Sequence, residues 1–124
     1  MFPEGFVESA QKVFTAGYEE KIEIAISALS FINTLYIGRH YGFRTADLIK
    51  SLKAVKEFCE VTSIDFSVID KMLDSSWNDK EDAAQYFSAL NVKSDCIVTR
   101  NIKDYEKSSV PVYSLEDFVD KYCC

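Results

Sequence analysis

Residues 22–37 read IEIAISALSFINTLYI, and the change of pattern inside this stretch sets the fold class. Ile22 to Ser27 is short and β-branched, which favours a strand. Phe31, Ile32, Leu35 and Tyr36 then recur at helical spacing, with Ser27 or Ser30 placed to cap a helix and Gly42 placed to stop it. A strand that feeds directly into a helix is the building unit of an α/β fold.

The same alternation extends outward in both directions. Before it, Glu4 to Ala16 brings Phe6, Val7, Ala10, Val13 and Phe14 to helical spacing, with Gly17 just past the end where a left-handed cap is wanted. After it, Thr45 is positioned to cap a helix in which Leu48, Ile49, Leu52, Val55 and Phe58 form one stripe, followed by a short strand from Val61 to Ile64. Asp65 or Ser67 opens a fourth helix with Val68, Ile69, Met72 and Leu73 inward, and Asp79 to Asp82 begin a fifth whose Ala83, Tyr86, Phe87 and Leu90 face the core. CIVT, from Cys96 to Thr99, is continuously apolar enough to read as a fully buried strand. A loop, RNIKDYEKSS, leads to a last strand near Val110 to Tyr113, and Ser114 with Asp117 starts a terminal helix carrying Phe118, Val119 and Tyr122. Strands joined by helices imply parallel pairing and right-handed crossovers, hence a three-layer α/β/α sandwich with a mainly parallel sheet.

Composition narrows the function. The 124 residues hold 14 Lys+Arg against 20 Asp+Glu, a net charge of −6, with 48% hydrophobic and 14% aromatic residues. That excludes disordered and collagen-like chains and suits a single domain over 1–124. The longest apolar run, Ile24 to Ile32, is less than half of the roughly 20 residues a membrane span needs. MFPEGFVES lacks the layout of a secretory signal, so the cytoplasm is the expected compartment. No CxxC pair is present, and Cys59 and Cys96 read as small core residues. The acidic balance argues against a broad basic face, leaving room for a local basic patch beside an acidic site. No Gly-rich loop follows any strand, which disfavours a phosphate-cradling domain.

Ligands of parallel α/β folds sit beyond the carboxyl ends of the strands, which selects Ser27 to Asn33 and Thr99 to Asp104. Asp79 and Asp82, three apart at a helix start, present two carboxylates to one side, and Asn101 and Asp104 follow the neighbouring strand. Clustered hard oxygen donors suit Mg²⁺ or Mn²⁺. The same residues also serve plain structural ends, Asp79 as an N-cap and Asp82 as a partner of the helix dipole. Trp77 and Tyr105 flank the segment as stacking or core aromatics. Arg100 and Lys103 are the basic side chains best placed for phosphate.

The strings ISALSFINTLYI (26–37), KEDAAQYFSAL (80–90), CIVTRNIKDY (96–105) and SSVPVYSLEDFV (108–119), in this order and spacing, resemble the PIN-domain family, and within it the bacterial VapC-type toxin ribonucleases. The resemblance implies a Mg²⁺- or Mn²⁺-dependent phosphodiesterase that cuts RNA, with an antitoxin-like protein as a further partner. Carried onto this chain, it places catalytic and metal-binding roles on Asp82, Asp79 and Asp104, with Asn101 as an additional ligand. Ser27 and Thr99 fall where small hydroxyl residues support such a site, and Arg100 and Lys103 would contact RNA. Two departures follow. The family's leading central strand, ending in an aspartate, has no counterpart ahead of the first helix, and the glutamate of the helix after it falls on Asn33. Activity is therefore expected to be weakened or lost, with a non-catalytic scaffold binding RNA or protein as the alternative. The sheet is expected either to pair the strands at 22–27 and 96–99 directly or to have a second protomer cover the gap, making a homo-oligomer.

Overall fold

The computed structural model describes residues 6–123. The chain runs α1 (Phe6–Tyr18), β1 (Ile24–Ser27), α2 (Ala28–His40), α3 (Thr45–Lys56), β2 (Cys59–Thr62), α4 (Phe66–Asp74), α5 (Lys80–Asn91), β3 (Ile97–Val98), β4 (Val112–Tyr113) and α6 (Leu115–Tyr122). A 3₁₀ turn at Ile102–Tyr105 lies between β3 and β4. Helices and short parallel strands alternate as an α/β/α fold requires. Glu4 and Gly5, expected in the first helix, and Cys124 lie outside the described residues.

Local chemistry sets most of the boundaries. Four helices start on a side-chain oxygen that accepts a backbone N–H three residues on: Ser27 from Ser30, Asp65 from Val68, Asp79 from Asp82 and Ser114 from Asp117. α2 ends before Gly42, whose φ of 90° only glycine adopts without strain. Elsewhere the expected ends shift. Gly17 does not terminate α1 but lies inside it, at a place where an added Cβ would collide with the Ile24 side chain; the left-handed residue is Glu20. Thr45 is the first helical residue of α3 instead of its cap, and the capping position falls on Arg44 without a side-chain bond. Phe58 falls beyond α3, where its ring meets Phe14 and Tyr18 edge-on.

The strands are shorter than the apolar runs suggest. β1 pairs with β2 in parallel, Ile24 opposite Cys59 through Ser27 opposite Thr62, so the second strand ends two residues before the expected Ile64. β3 pairs with β4 in parallel, Ile97 opposite Val112 and Val98 opposite Tyr113. Among the described residues no ladder joins β1 to β3, so the sheet is two separate two-stranded ladders and direct pairing of those strands is not observed. CIVT is correspondingly not a fully buried strand: two of its residues are in the ladder and Val98 is exposed, because β3 has a neighbour on one side only. Cys59 and Cys96 are half-buried, which still pushes both thiols above their ordinary pKa.

The best-packed core gathers Trp77, Ala83, Tyr86 and Tyr105, with Met72, Phe87, Leu90, Ile97 and Val112 partly buried against it. The Trp77 ring stacks on Tyr86 at 4.7 Å between centroids and meets Tyr105 edge-on at 5.4 Å. In α4 only Val68 is fully inside; Ile69 and Leu73, expected inward, are exposed. α2 and α3 pack on each other where Gly38 admits Leu48, yet neither contains a buried residue. Tyr36, Ile32 and Ile49 of the expected apolar stripes therefore lie at the surface. No helix among the described residues is long and apolar enough to cross a membrane.

Candidate functional site

The first turn of α5 is the hub of the polar chemistry. Asp79 caps the helix, its Oδ1 accepting the Asp82 N–H at 3.0 Å, which turns Asp82 toward the 3₁₀ turn after β3. There the Tyr105 hydroxyl donates to Asp82 Oδ1 at 3.2 Å. Tyr105 is thus a core ring, one of the two roles left open from the sequence, and also a donor to the acidic corner, which the sequence reading did not include.

The electrostatics follow from this crowding. Asp82 is held above the ordinary carboxylate range, first by partial burial and then by the charge of Asp79, with Asp104 adding to the repulsion; the Tyr105 bond acts in the opposite direction. Burial pushes the Tyr105 phenol far above its ordinary value, and the Asp82 charge adds to that. Asp79, Asp82 and Asp104 thus share one neighbourhood.

Asn101 and Thr99 shape the turn beside it. Thr99 donates its backbone N–H to the Tyr113 carbonyl, holding the end of β3, while its Oγ1 accepts the Asn101 N–H at 3.2 Å. Arg100, Asn101, Ile102, Lys103 and Asp104 line an open cavity of about 390 Å³. Both candidate phosphate-contacting side chains border it together with an amide and a carboxylate.

A second polar seam joins α2 to α5. The Asn33 amide donates to Glu81 Oε1 at 2.7 Å. Ser30 Oγ donates to Gln85 Oε1 at 3.2 Å, and buried Ser27 caps α2 and reaches the same amide oxygen at 3.5 Å. Thr62 of β2 donates to Ser88 at 3.0 Å. Glu81, Gln85 and Ser88 were not singled out in the sequence, and Ser30 only as a candidate cap of α2. Their signal is spacing: 81, 85 and 88 form one polar stripe on α5, and 27, 30 and 33 another on α2. Such stripes on two helices of one fold are expected to meet.

A divalent cation needs oxygen donors converging on one point. The carboxylates have the right chemistry, but Asp79 is committed to its cap and Asp82 to Tyr105. Among the described residues no group of three or more His, Cys, Asp or Glu is gathered to hold an ion. These bonds use only the Oδ1 of Asp79 and of Asp82, so the corner offers further carboxylate oxygens without a cage of three donors around one point. Asn33 brings no charge of its own and instead holds Glu81, so the carboxylate at that place belongs to α5.

Comparison with known proteins gives one finding. A family model described as PIN domain matches residues 1–103. No curated protein and no solved structure matches the chain.

Proposed function

From the premise that the chain belongs to the PIN-domain family, and so carries a nuclease fold, we propose that it acts on RNA at the acidic corner around Asp82 as a feeble phosphodiester hydrolase. The observation that carries this reading is the crowding at Asp82. The negative charges of Asp79 and Asp104 beside Asp82 make this corner a place where positive charge is favoured. The adjoining cavity has Arg100 and Lys103 on its rim, side chains suited to phosphate. In this proposal RNA is held by Arg100 and Lys103, Asp82 and Asp104 face the phosphodiester, and Thr99 and Asn101 fix the turn that carries them. Mg²⁺ or Mn²⁺ is the cofactor class such carboxylates recruit, supplying charge neutralisation and an activated water when bound. The setting proposed is the cytoplasm, with an antitoxin-like protein as partner.

The test is cleavage of a labelled mixed-sequence RNA by the 124-residue chain with and without Mn²⁺, alongside Asp82→Asn. Slow Mn²⁺-dependent cutting that Asp82→Asn abolishes supports the hydrolase. A second reading, a scaffold that binds RNA without cutting, is favoured by the neutral Asn33 and by the ungathered donor set. It predicts binding that Arg100→Ala and Lys103→Ala weaken, no cleavage, and a melting temperature that Mn²⁺ leaves unchanged.

A further inference from the structure

Two lysines close over one short loop next to the acidic corner. Ser75 ends α4 as its C-cap and Asp79 caps α5, so residues 75–79 are the connection between those helices. Lys80 Nζ donates to the Ser75 carbonyl at 2.8 Å, with Ser75 Oγ at 3.5 Å. From the turn after β3, Lys107 Nζ donates to the Ser76 carbonyl and to Ser76 Oγ, the latter at 3.0 Å. Because Ser75 and Ser76 are consecutive, the two ammonium groups stand no more than about 10 Å apart by the chain's own dimensions.

These bonds orient the charges without neutralising them. A carbonyl and a hydroxyl are neutral, and an ammonium with three donors keeps one over after two such bonds. Asp74, Asp79 and Glu106 are neighbours in sequence, yet neither lysine is within ion-pair distance of a carboxylate among the described residues. The carboxyl end of α4 offers only about half a negative charge against two positive ones. In a chain of net charge −6, two cations held side by side on neutral groups form an arrangement that an anion would complete.

The loop is tied to the acidic corner by its own aromatic residue. Trp77, next to Ser76, meets Tyr105 edge-on at 5.4 Å, and Tyr105 donates to Asp82. Along the turn after β3, Arg100 and Lys103 border the open cavity ahead of Tyr105, and Lys107 follows Tyr105 by two residues. The corner is thus flanked by two basic groups, one at the cavity and one over Ser75 and Ser76. A small anion meets one of them, whereas a strand with phosphates at regular intervals meets both.

We infer that Lys80 and Lys107 hold a second backbone phosphate of the RNA, so that one strand crosses Asp82 with one phosphate on Arg100 and Lys103 and another on the lysine pair. This rests on the reading that the chain takes RNA at that corner, and it stands whether or not the chain cuts.

Binding of a fluorescent single-stranded RNA of about eight nucleotides, followed by anisotropy in EDTA over a range of salt, tests it. Lys80→Gln with Lys107→Gln keeps polar side chains at the loop and removes their charge. This pair is expected to weaken binding at least about 5-fold and to lower the slope of log affinity against log salt by about 0.7, the share of one phosphate on a single strand. Lys80→Arg with Lys107→Arg is expected to keep both at the parent's values. Lys53→Gln with Lys56→Gln, on α3, removes the same charge and is expected to leave the slope unchanged. Far-UV circular dichroism confirms that each variant is folded. A glutamine pair that lowers the melting temperature without moving the slope has lost only loop support, and that outcome overturns the inference. If Arg100→Ala with Lys103→Ala weakens binding and the glutamine pair does not, the inference fails while the RNA reading holds. A parent that binds no RNA overturns both.

Discussion

Asp82 carries opposing influences. Partial burial and the charges of Asp79 and Asp104 raise its carboxyl, while the Tyr105 hydroxyl steadies the ionised form. Because its folded value lies above the unfolded one, the folded chain holds the proton more tightly, and stability falls as pH rises through that window. The ionised carboxylate therefore works against folding at neutral pH. Asp82→Asn is expected to melt higher than the parent at pH 7, with the difference shrinking as pH falls and the carboxyl takes up its proton in both states. Thermal melts across pH read this out, and a parent as stable as the variant at pH 7 would refute it. Tyr105→Phe removes the donor and is expected to move the Asp82 carboxyl further up, seen in its carboxyl-carbon NMR titration. Asp79 and Asp82 could be picked out from the sequence because a helix start with two acids has few readings. The Tyr105 bond could not, since it joins residues 23 apart across a turn.

Elements in this chain are bounded by single residues, which makes their contributions separable. Ser27 both ends β1 and starts α2, and its side chain also reaches Gln85. Ser27→Ala is expected to cost about 1 kcal/mol, the usual value of an N-cap. Gly42 has open space where a Cβ would sit but a φ of 90°. Gly42→Ala is therefore expected to cost about 1–2 kcal/mol by backbone strain alone. Urea midpoints at unchanged slope measure both, and a neutral Gly42→Ala would show that the turn relaxes instead of straining. The caps at Ser27, Asp65, Asp79 and Ser114 were legible because each is a local event within four residues. Strand ends were less so: the apolar pattern runs past the last ladder bond in CIVT, and only the partner strand decides where pairing stops.

At the scale of the molecule, packing quality is uneven. Trp77, Tyr86 and Tyr105 hold α5 and the ladder of β3 and β4 around one core, whereas α2 and α3 carry no buried residue. Native-state hydrogen exchange of the chain is expected to show amides of α2 and α3 exchanging at least about 100-fold faster than those of α5. Uniform protection would mean that the chain unfolds as one unit. The order of helices and strands, the caps that start α2, α4, α5 and α6, the α/β class and the acidic character of the α5 start were determined by sequence alone, because each depends on neighbours within a turn or on side-chain period. Which strands pair, which apolar stripes are covered and which polar stripes meet were decided only in the tertiary structure. Phe31, Ile32, Leu35 and Tyr36 follow the same helical period whether a partner covers them or not. The period says that a face exists, and only the contacts formed across long sequence separations decide what it faces.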